Sequence, residues 1–151
     1  MADVLSKQDV QDVLEVIKQL YLEDRIPWIC GYSGGKDSTA IVQLVWMALR
    51  QIPKEKRVKT VHVISTDTMV ESPVVAVWSS QSLKKMAEAA AAEDLPIIPH
   101  RLTPEIRNTY WVQVIGRGYP YPRQNFRWCT DRMKIAPANN FIKEILDAES
   151  E

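Results

Sequence analysis

The sequence predicts an α/β protein with a Rossmann-like parallel sheet and helices on both faces. Short apolar segments that favour strands alternate with longer segments that favour helices, which is the order of βαβ units. The strand segments are nearly continuous apolar runs, as expected where helices cover both faces of a sheet. Only three strand segments are recognisable, and the last predicted element is a helix. We therefore expect a sheet that is truncated at its C-terminal end.

The first two predicted elements are a capped helix and a short strand. The hydroxyl of Ser6 can accept a hydrogen bond from the first helical turn, which Asp9 also favours. Apolar side chains then recur at helical spacing, at Val10, Val13, Leu14, Ile17 and Leu20. Residues 26–32 (IPWICGY) are short, apolar and β-prone, and Pro27 is tolerated near the start of a strand. They predict the first strand.

The remaining elements continue the alternation of strands and helices. Ser72 is a candidate N-cap, and Pro73 stands at the first helical position, which proline favours. We predict strands over residues 60–65 and 96–102, and helices over residues 38–50, 73–93, 104–114 and 137–146. Residues 116–128 (GRGYPYPRQNFRW) are predicted to be irregular.

Composition places the chain among globular proteins. It has 151 residues, of which 46% are hydrophobic and 25% charged. These values exclude a disordered or fibrous protein and suit a single domain over residues 1–151. Lysine plus arginine and aspartate plus glutamate both number 19. Because the net charge is zero, any affinity for nucleic acid or another anion must be local.

The sequence also predicts a cytoplasmic protein without membrane contact. Its polar, acidic N-terminus is unlike a signal peptide. The longest apolar stretch, residues 40–49, is too short to span a bilayer. Cys30 and Cys129 are too few for a disulfide framework and agree with a reducing compartment.

The most informative segment is residues 33–38 (SGGKDS), between the first predicted strand and the helix that follows it. The N-terminus of a helix carries free N–H groups and a partial positive charge, and it readily binds phosphate. Gly34 and Gly35 lack Cβ atoms, so the backbone can adopt left-handed angles and approach an anion closely. The segment predicts a phosphate site. The alternative is an ordinary strand-to-helix turn in which the glycines serve the geometry alone.

The other residues of this segment add donors and charge. Ser33 and Ser38 offer hydroxyl groups, and Lys36 offers a positive charge. Asp37 beside bound phosphates requires a cation between the two, and Mg²⁺ is the natural candidate because it takes one or two carboxylates together with phosphate oxygens. Neither the Walker pattern nor the dinucleotide fingerprint fits the spacing of the glycines.

Residues 33–38 resemble the PP-loop, SGGxDS, of the N-type ATP pyrophosphatases and the phosphoadenosine-phosphosulfate (PAPS) reductase superfamily. These proteins cleave ATP between the α and β phosphates, or bind related adenylates, on a Rossmann-like sheet. Further segments resemble DndC, the sulfurtransferase family of bacterial DNA phosphorothioation. They are Pro27-Trp28, residues 31–39 (GYSGGKDST), residues 65–71 (STDTMVE), Trp111 with residues 116–122 (GRGYPYP), and residues 126–135 (FRWCTDRMKI).

The resemblance implies an ATP pyrophosphatase domain of a sulfurtransferase, which activates the DNA backbone and replaces a non-bridging phosphate oxygen with sulfur. It implies ATP as the nucleotide, with Mg²⁺ held by Asp37, and a catalytic role for Lys36. It also implies a cysteine desulfurase as the sulfur donor, the other phosphorothioation subunits as partners and DNA as the final substrate. DNA as the acceptor rests on the resemblance alone.

Two features of the family are missing from this sequence. Family members are considerably longer and carry a further strand with an arginine-containing motif. They are also associated with an iron–sulfur cluster held by several cysteines, whereas here only Cys129 stands in a suitable position. Because such a cluster normally needs four ligands, we expect one only in the longer protein. A chain truncated in this way can lack activity in isolation.

Asp67 and Thr68 follow the second predicted strand, at the edge where open parallel sheets bind ligands. The alternative is a polar turn before the next helix, since aspartate is common in turns. The resemblance implies that this segment lines the adenosine pocket or helps to hold the metal.

Residues 117–134 combine basic and aromatic side chains with a single acid. They include Arg117, Arg123, Arg127, Arg132 and Lys134, the aromatic Tyr119, Tyr121, Phe126 and Trp128, and Asp131. Such a set can bind phosphates and stacked bases, and the alternative is a long surface loop pinned by packed aromatic rings. In the PAPS reductase superfamily, basic residues after such a cysteine contact the nucleotide. The resemblance therefore assigns nucleotide contacts to Arg132 and Lys134.

Cys129 lies among these basic residues, which favour the thiolate. A thiolate there can carry sulfur as a persulfide or ligate an iron–sulfur cluster. Alternatively the residue is a small buried side chain, as cysteines often are. We predict a functional role for Cys129 and a core position for Cys30 in the first strand.

Two alternatives to the DNA sulfurtransferase remain. One is a reductase of PAPS or adenylylsulfate that uses Cys129 as its nucleophile. The other is a non-catalytic nucleotide-binding module that assembles partner subunits.

Overall fold

The computed structural model describes residues 6–149. Its helices are α1 (Lys7–Glu23), α2 (Lys36–Gln51), α3 (Pro73–Ala92), α4 (Trp128–Thr130) and α5 (Ala136–Glu149), and its strands are β1 (Trp28–Gly31), β2 (Val61–Thr66) and β3 (Ile97–Leu102). Short 3₁₀ turns span Lys54–Lys56 and Ile106–Asn108, and π-helical turns span Val112–Gly116 and Asp131–Ile135.

Within the described residues, the strands form one small parallel sheet in the order β1-β2-β3. Each strand is connected to the next by a helix, α2 and then α3. The N–H of Trp28 donates to the Thr60 carbonyl (2.9 Å), and the N–H of Val61 donates to the Pro96 carbonyl (2.7 Å). The predicted α/β class, a Rossmann-like parallel sheet flanked by helices, is confirmed.

The described chain forms two compact units. The first comprises the chain up to Val63 together with Lys85–Pro99, and the second comprises Ile64–Lys84 together with the chain from His100 onward. No helix in the described part of the chain is both long and apolar enough to cross a membrane.

Helix α1 of the first unit begins where the sequence predicted. The Ser6 hydroxyl accepts a hydrogen bond from the Asp9 N–H (3.1 Å), and the Asp9 carboxylate accepts one from the Ser6 N–H (2.7 Å). This reciprocal pair is the predicted capping box. Leu14 and Tyr21 are buried, whereas Leu20, from the apolar pattern, is half exposed. Tyr21 lies two helical turns beyond Leu14, so one narrow stripe faces the core.

Residues 104–114 do not form the predicted single helix. A 3₁₀ turn over Ile106–Asn108 is followed by a π-helical turn over Val112–Gly116. The Thr109 hydroxyl donates to the Ile106 carbonyl (2.8 Å), and the buried Gln113 amide donates to the Arg107 carbonyl (2.7 Å). The Ile106 carbonyl also accepts a hydrogen bond from the Thr109 N–H (3.2 Å). Side-chain bonds to nearby carbonyls compete with the bonding pattern of a regular helix, in agreement with the irregular turns.

The last helical region begins well before the predicted residue 137. α4, the π-helical turn Asp131–Ile135 and α5 follow one another without a break. Trp128 and Met133 are buried, and their burial holds this part of the chain in a helix. Pro137 has no N–H to donate to the preceding turn, in agreement with the widened turn before it. The second half of the predicted basic loop is therefore helical.

Candidate functional site

The turn between β1 and α2 contains residues 33–38, the predicted phosphate site. Gly34 has φ 75°, in the left-handed region that glycine adopts at little cost. Gly35 is the N-cap of α2 in extended backbone, so the helix begins at Lys36 rather than at residue 38. The first turn of α2 therefore belongs to the segment.

Two serine side chains shape this turn. The Ser38 hydroxyl accepts a hydrogen bond from the Ser33 N–H (3.3 Å) and donates to the Gly35 carbonyl (3.1 Å). The two hydroxyl oxygens are 3.1 Å apart, and the Ser33 oxygen accepts a hydrogen bond from the Gly35 N–H (3.4 Å). The Ser33 and Ser38 hydroxyls, which the sequence predicted as phosphate donors, therefore form hydrogen bonds within the turn and hold its backbone.

The N-terminus of α2 is open to an anion. Gly35 supplies no side-chain hydrogen bond to the first turn of the helix. Lys36 and Asp37 are exposed, and neither side chain has a hydrogen bond or ion pair with another residue in the described range 6–149. The free N–H groups, the helix dipole and the Lys36 charge all favour an anion at this point.

Asp37 fits the predicted magnesium ligand. Its carboxylate is exposed beside the open helix N-terminus, and Mg²⁺ is commonly held by one or two carboxylates together with phosphate oxygens and waters. Among residues 6–149, no group of three or more His, Cys, Asp or Glu side chains is arranged to hold a metal ion. A magnesium ion held by Asp37 would therefore need phosphate oxygens and waters as its remaining ligands.

Asp67 directly follows β2 in the second unit, and each of its carboxylate oxygens has a partner. One accepts a hydrogen bond from the Met69 N–H (2.8 Å), and the other forms an ion pair with Arg101 in β3. Burial opposes ionisation of Asp67, but the bonds from Arg101 and Met69 and the arginine charge outweigh it and lower the pKa. Asp67 thus closes a polar turn, and both of its carboxylate oxygens already have protein partners.

A cleft of about 440 Å³ lies in the second unit, between the end of β3 and the last helical region. Its size is in the range of small-molecule sites. Its polar lining includes Arg101, Thr103, Glu105, Asn108, Arg132, Asn140 and Glu144. Sequence reasoning missed Arg101, although its position near the carboxyl end of β3 is where open parallel sheets place ligand contacts.

Arg132 and Lys134 occupy different environments. The Arg132 guanidinium donates to the Tyr119 hydroxyl (2.8 Å) and lies 4.7 Å from the centre of the Tyr119 ring. Lys134 is exposed on the same π-helical turn and does not line the cleft. The structure therefore brings Arg132 to the cleft that Arg101 lines, and Arg101 in turn holds Asp67.

The two cysteines are both free and half-buried. Cys129 lies in α4, and no further His, Cys, Asp or Glu side chains in the described range complete a metal site around it. The described residues do not fit an iron–sulfur cluster. Cys30 lies in β1 and is only partly buried rather than fully in the core. Burial raises the pKa of its thiol.

No family model matches this chain. The chain is similar to the uncharacterized protein MJ0066 of Methanocaldococcus jannaschii, with 28% identity over 134 residues. The matched region covers 89% of this chain and 23% of that protein. The chain thus spans about a quarter of the length of this relative.

Proposed function

We propose that this chain is an ATP pyrophosphatase domain of a sulfurtransferase that modifies the DNA backbone. The observation that carries the proposal is the turn between β1 and α2. There a left-handed Gly34, an open helix N-terminus and the exposed Lys36 and Asp37 occur in the order SGGKDS. Neither the Walker pattern nor the dinucleotide fingerprint fits this order of residues.

The turn and Lys36 would act on the phosphates of ATP. The free N–H groups of α2 would bind the phosphate oxygens, and the Lys36 ammonium would stabilise the charge that develops on the leaving pyrophosphate. Ser33 and Ser38 would hold the turn in shape through their hydrogen bonds to each other and to Gly35. Preorganised donors of this kind lower the barrier because they need no rearrangement during the reaction.

Asp37 would hold Mg²⁺ against the β and γ phosphates. When bound, the ion supplies positive charge to the future pyrophosphate. Asp37 has no ion-pair partner within the described residues, so its carboxylate is free for this role. The remaining nucleotide contacts proposed from the resemblance are Asp67, Arg132 and Lys134.

The acceptor and the sulfur source are proposed from the resemblance to DndC. The AMP moiety would be transferred to an oxygen of a DNA phosphate as pyrophosphate leaves, and sulfur would then displace AMP together with that oxygen. The sulfur would come from a cysteine desulfurase and be carried as a persulfide on Cys129, whose outer sulfur would attack the phosphorus as AMP leaves. A second thiol, from a thiol reductant, would then cleave the S–S bond, which releases the phosphorothioate and leaves a disulfide between that thiol and Cys129. The other phosphorothioation subunits would be partners. A cytoplasmic location belongs to the same proposal.

The test is product analysis after incubation of the purified chain with ATP and Mg²⁺. We expect AMP and pyrophosphate from the wild-type chain and from Lys56→Ala, an exposed lysine outside the turn. We expect neither product from Lys36→Ala. ADP and phosphate would contradict the proposal. ATP binding without turnover would favour a nucleotide-binding assembly module, and sulfite release from PAPS would favour a reductase.

A further inference from the structure

The segment of residues 106–130 carries a local positive charge in a chain with no net charge. It contains Arg107, Arg117, Arg123 and Arg127 and no aspartate or glutamate. Arg107 is paired with Glu105. The other three arginines are exposed, and within residues 6–149 none of them has an ion-pair partner. The acids Glu105 and Asp131 flank the segment, and its three unpaired, exposed arginines are available to a polyanion.

Large aromatic side chains of the same segment are exposed to solvent. Trp111 is 57% exposed, Tyr121 66% and Phe126 43%. The ring of Tyr110 lies 5.2 Å from that of Trp111 and 6.5 Å from that of Tyr121, between centroids. Phe126 and Arg123 are joined by two backbone hydrogen bonds of 2.9 and 3.0 Å. Two of the exposed rings thus pack on Tyr110, and Phe126 shares a tight turn with the unpaired Arg123.

The same segment also contains buried side chains that pack and form hydrogen bonds within it. Trp128 is buried, its ring stacks on Tyr110 with centroids 5.8 Å apart, and its indole N–H donates to the Pro120 carbonyl (3.0 Å). Gln113 is also buried and donates to the Arg107 carbonyl (2.7 Å). Because Trp111 and Tyr121 pack on Tyr110, which stacks on the buried Trp128, these two rings are held in place before any ligand binds, which limits the entropy lost on binding.

We propose that this segment binds an unpaired strand of nucleic acid. The binding residues form what we call the aromatic–arginine surface, which consists of Trp111, Arg117, Tyr121, Arg123, Phe126 and Arg127. The rings stack on bases and the guanidinium groups contact phosphates. The inference rests on the proposed function in one respect, namely that the bound strand is the DNA that receives sulfur.

An unpaired strand suits the surface better than a duplex does. In a duplex the faces of the bases are covered by their neighbours, whereas a single strand can place each base face on an aromatic ring. Protein partners also bury aromatic and arginine residues. A segment with three unpaired arginines and no acid favours a polyanion over a protein surface of mixed charge.

The test is a fluorescence-anisotropy titration of a labelled single-stranded 12-nucleotide DNA with the full chain, in the absence of ATP. The same DNA as a duplex is titrated in parallel. We expect tighter binding of the single strand, with an affinity that falls as salt rises. Because no ATP is present, failure of this binding and failure of ATP cleavage are separate results.

Substitutions separate stacking from charge. We expect Trp111→Ala to weaken single-strand binding about 5-fold to 100-fold, whereas Trp78→Ala, which removes an exposed ring from α3, leaves it unchanged. We expect Arg123→Gln to lower the slope of log affinity against log salt by about 0.7, whereas the exposed Arg25→Gln does not. Circular dichroism and thermal unfolding of each variant establish that it is folded.

Three results would overturn the inference. One is equal or tighter binding of the duplex. Another is an equal effect of Trp111→Ala and Trp78→Ala on a folded chain. The third is the lack of any single-strand binding at low salt together with self-association that Trp111→Ala abolishes, which would assign the surface to a protein contact.

Discussion

The ammonium group of Lys59 lies 2.7 Å from the carboxylate of Asp24, and the Lys59 side chain is fully buried. The same group donates to the Leu20 carbonyl (3.3 Å) and lies 5.2 and 4.8 Å from the ring centres of Tyr21 and Trp28. A buried ammonium needs such partners because it has lost its water. The contact joins the C-terminal end of α1 to the start of the sheet.

Loss of this ammonium should destabilise the protein. We expect Lys59→Ala to lower the free energy of unfolding by about 1–3 kcal/mol, because the buried Lys59 side chain loses its hydrogen bonds to Leu20 and Asp24 and its contacts with the Tyr21 and Trp28 rings. Urea denaturation measures the effect. Lys56→Ala, which changes an exposed lysine without a side-chain partner in the described range, should shift stability by less than about 0.5 kcal/mol. Equal losses in the two variants would contradict the assigned role.

Gly31 and Gly34, on either side of Tyr32 and Ser33, allow a test substitution and its matched control. Gly34 has φ 75°, so we expect Gly34→Ala to cost about 1–2 kcal/mol and to abolish ATP binding through the changed turn. A Cβ at Gly31 would meet nothing within 4 Å, so Gly31→Ala should retain both stability and ATP binding. Thermal unfolding and calorimetric titration with Mg-ATP measure the two effects. Retained ATP binding in Gly34→Ala would count against a phosphate role for the turn.

Removal of the Asp37 carboxylate should abolish magnesium-dependent ATP cleavage. Because no other described residue pairs with Asp37, we expect Asp37→Ala to fold normally and to lose turnover by about 100-fold or more. Pyrophosphate release over a magnesium series measures the loss. Asp12→Ala on the exposed side of α1 is the control and should match the wild-type chain. Normal turnover in Asp37→Ala would refute the proposed mechanism.

The ion pair of Asp67 with Arg101 should appear in the pH dependence of stability. The pKa of Asp67 is lowered on folding, so its contribution is present above the unfolded pKa of about 3.9 and is lost as the pH falls through the folded value. We expect Asp67→Asn to be less stable by about 1–2 kcal/mol at pH 7, with a difference that shrinks below about pH 4.

Urea midpoints at pH 7, 5, 4 and 3 measure this difference. The exposed Asp147→Asn provides the control, and its stability should follow the wild-type curve across the series. A constant difference between Asp67→Asn and the wild-type chain at every pH would show that the carboxylate charge is not responsible.

Much of the fold was predictable because its signals act over a few residues. The capping box of Ser6 and Asp9 places the start of α1, and Pro73 places the start of α3. The start of α2 was placed too late, at residue 38. Gly35 serves as the N-cap there without a side-chain hydrogen bond, so no capping residue marked the boundary.

The candidate site was predictable only in part, because sequence signals act over a few residues and parts of the site are far apart in the chain. The phosphate turn lies within one short segment, and its residue order was visible in the sequence. Arg101 was not predicted, because its partner Asp67 is 34 residues away in the chain. The pairing becomes apparent only when β2 and β3 lie side by side.

Local chemistry along the chain accounts for the alternation of strands and helices, the caps and the glycine turn, since each depends on backbone angles and hydrogen bonds within one or two turns. Long-range packing accounts for the rest. Trp128 and Met133 are helical because they are buried, and the buried side chain of Lys59 finds its partner in Asp24, which lies 35 residues away in the chain. Burial depends on residues far apart in sequence, and no local pattern records which of them will meet.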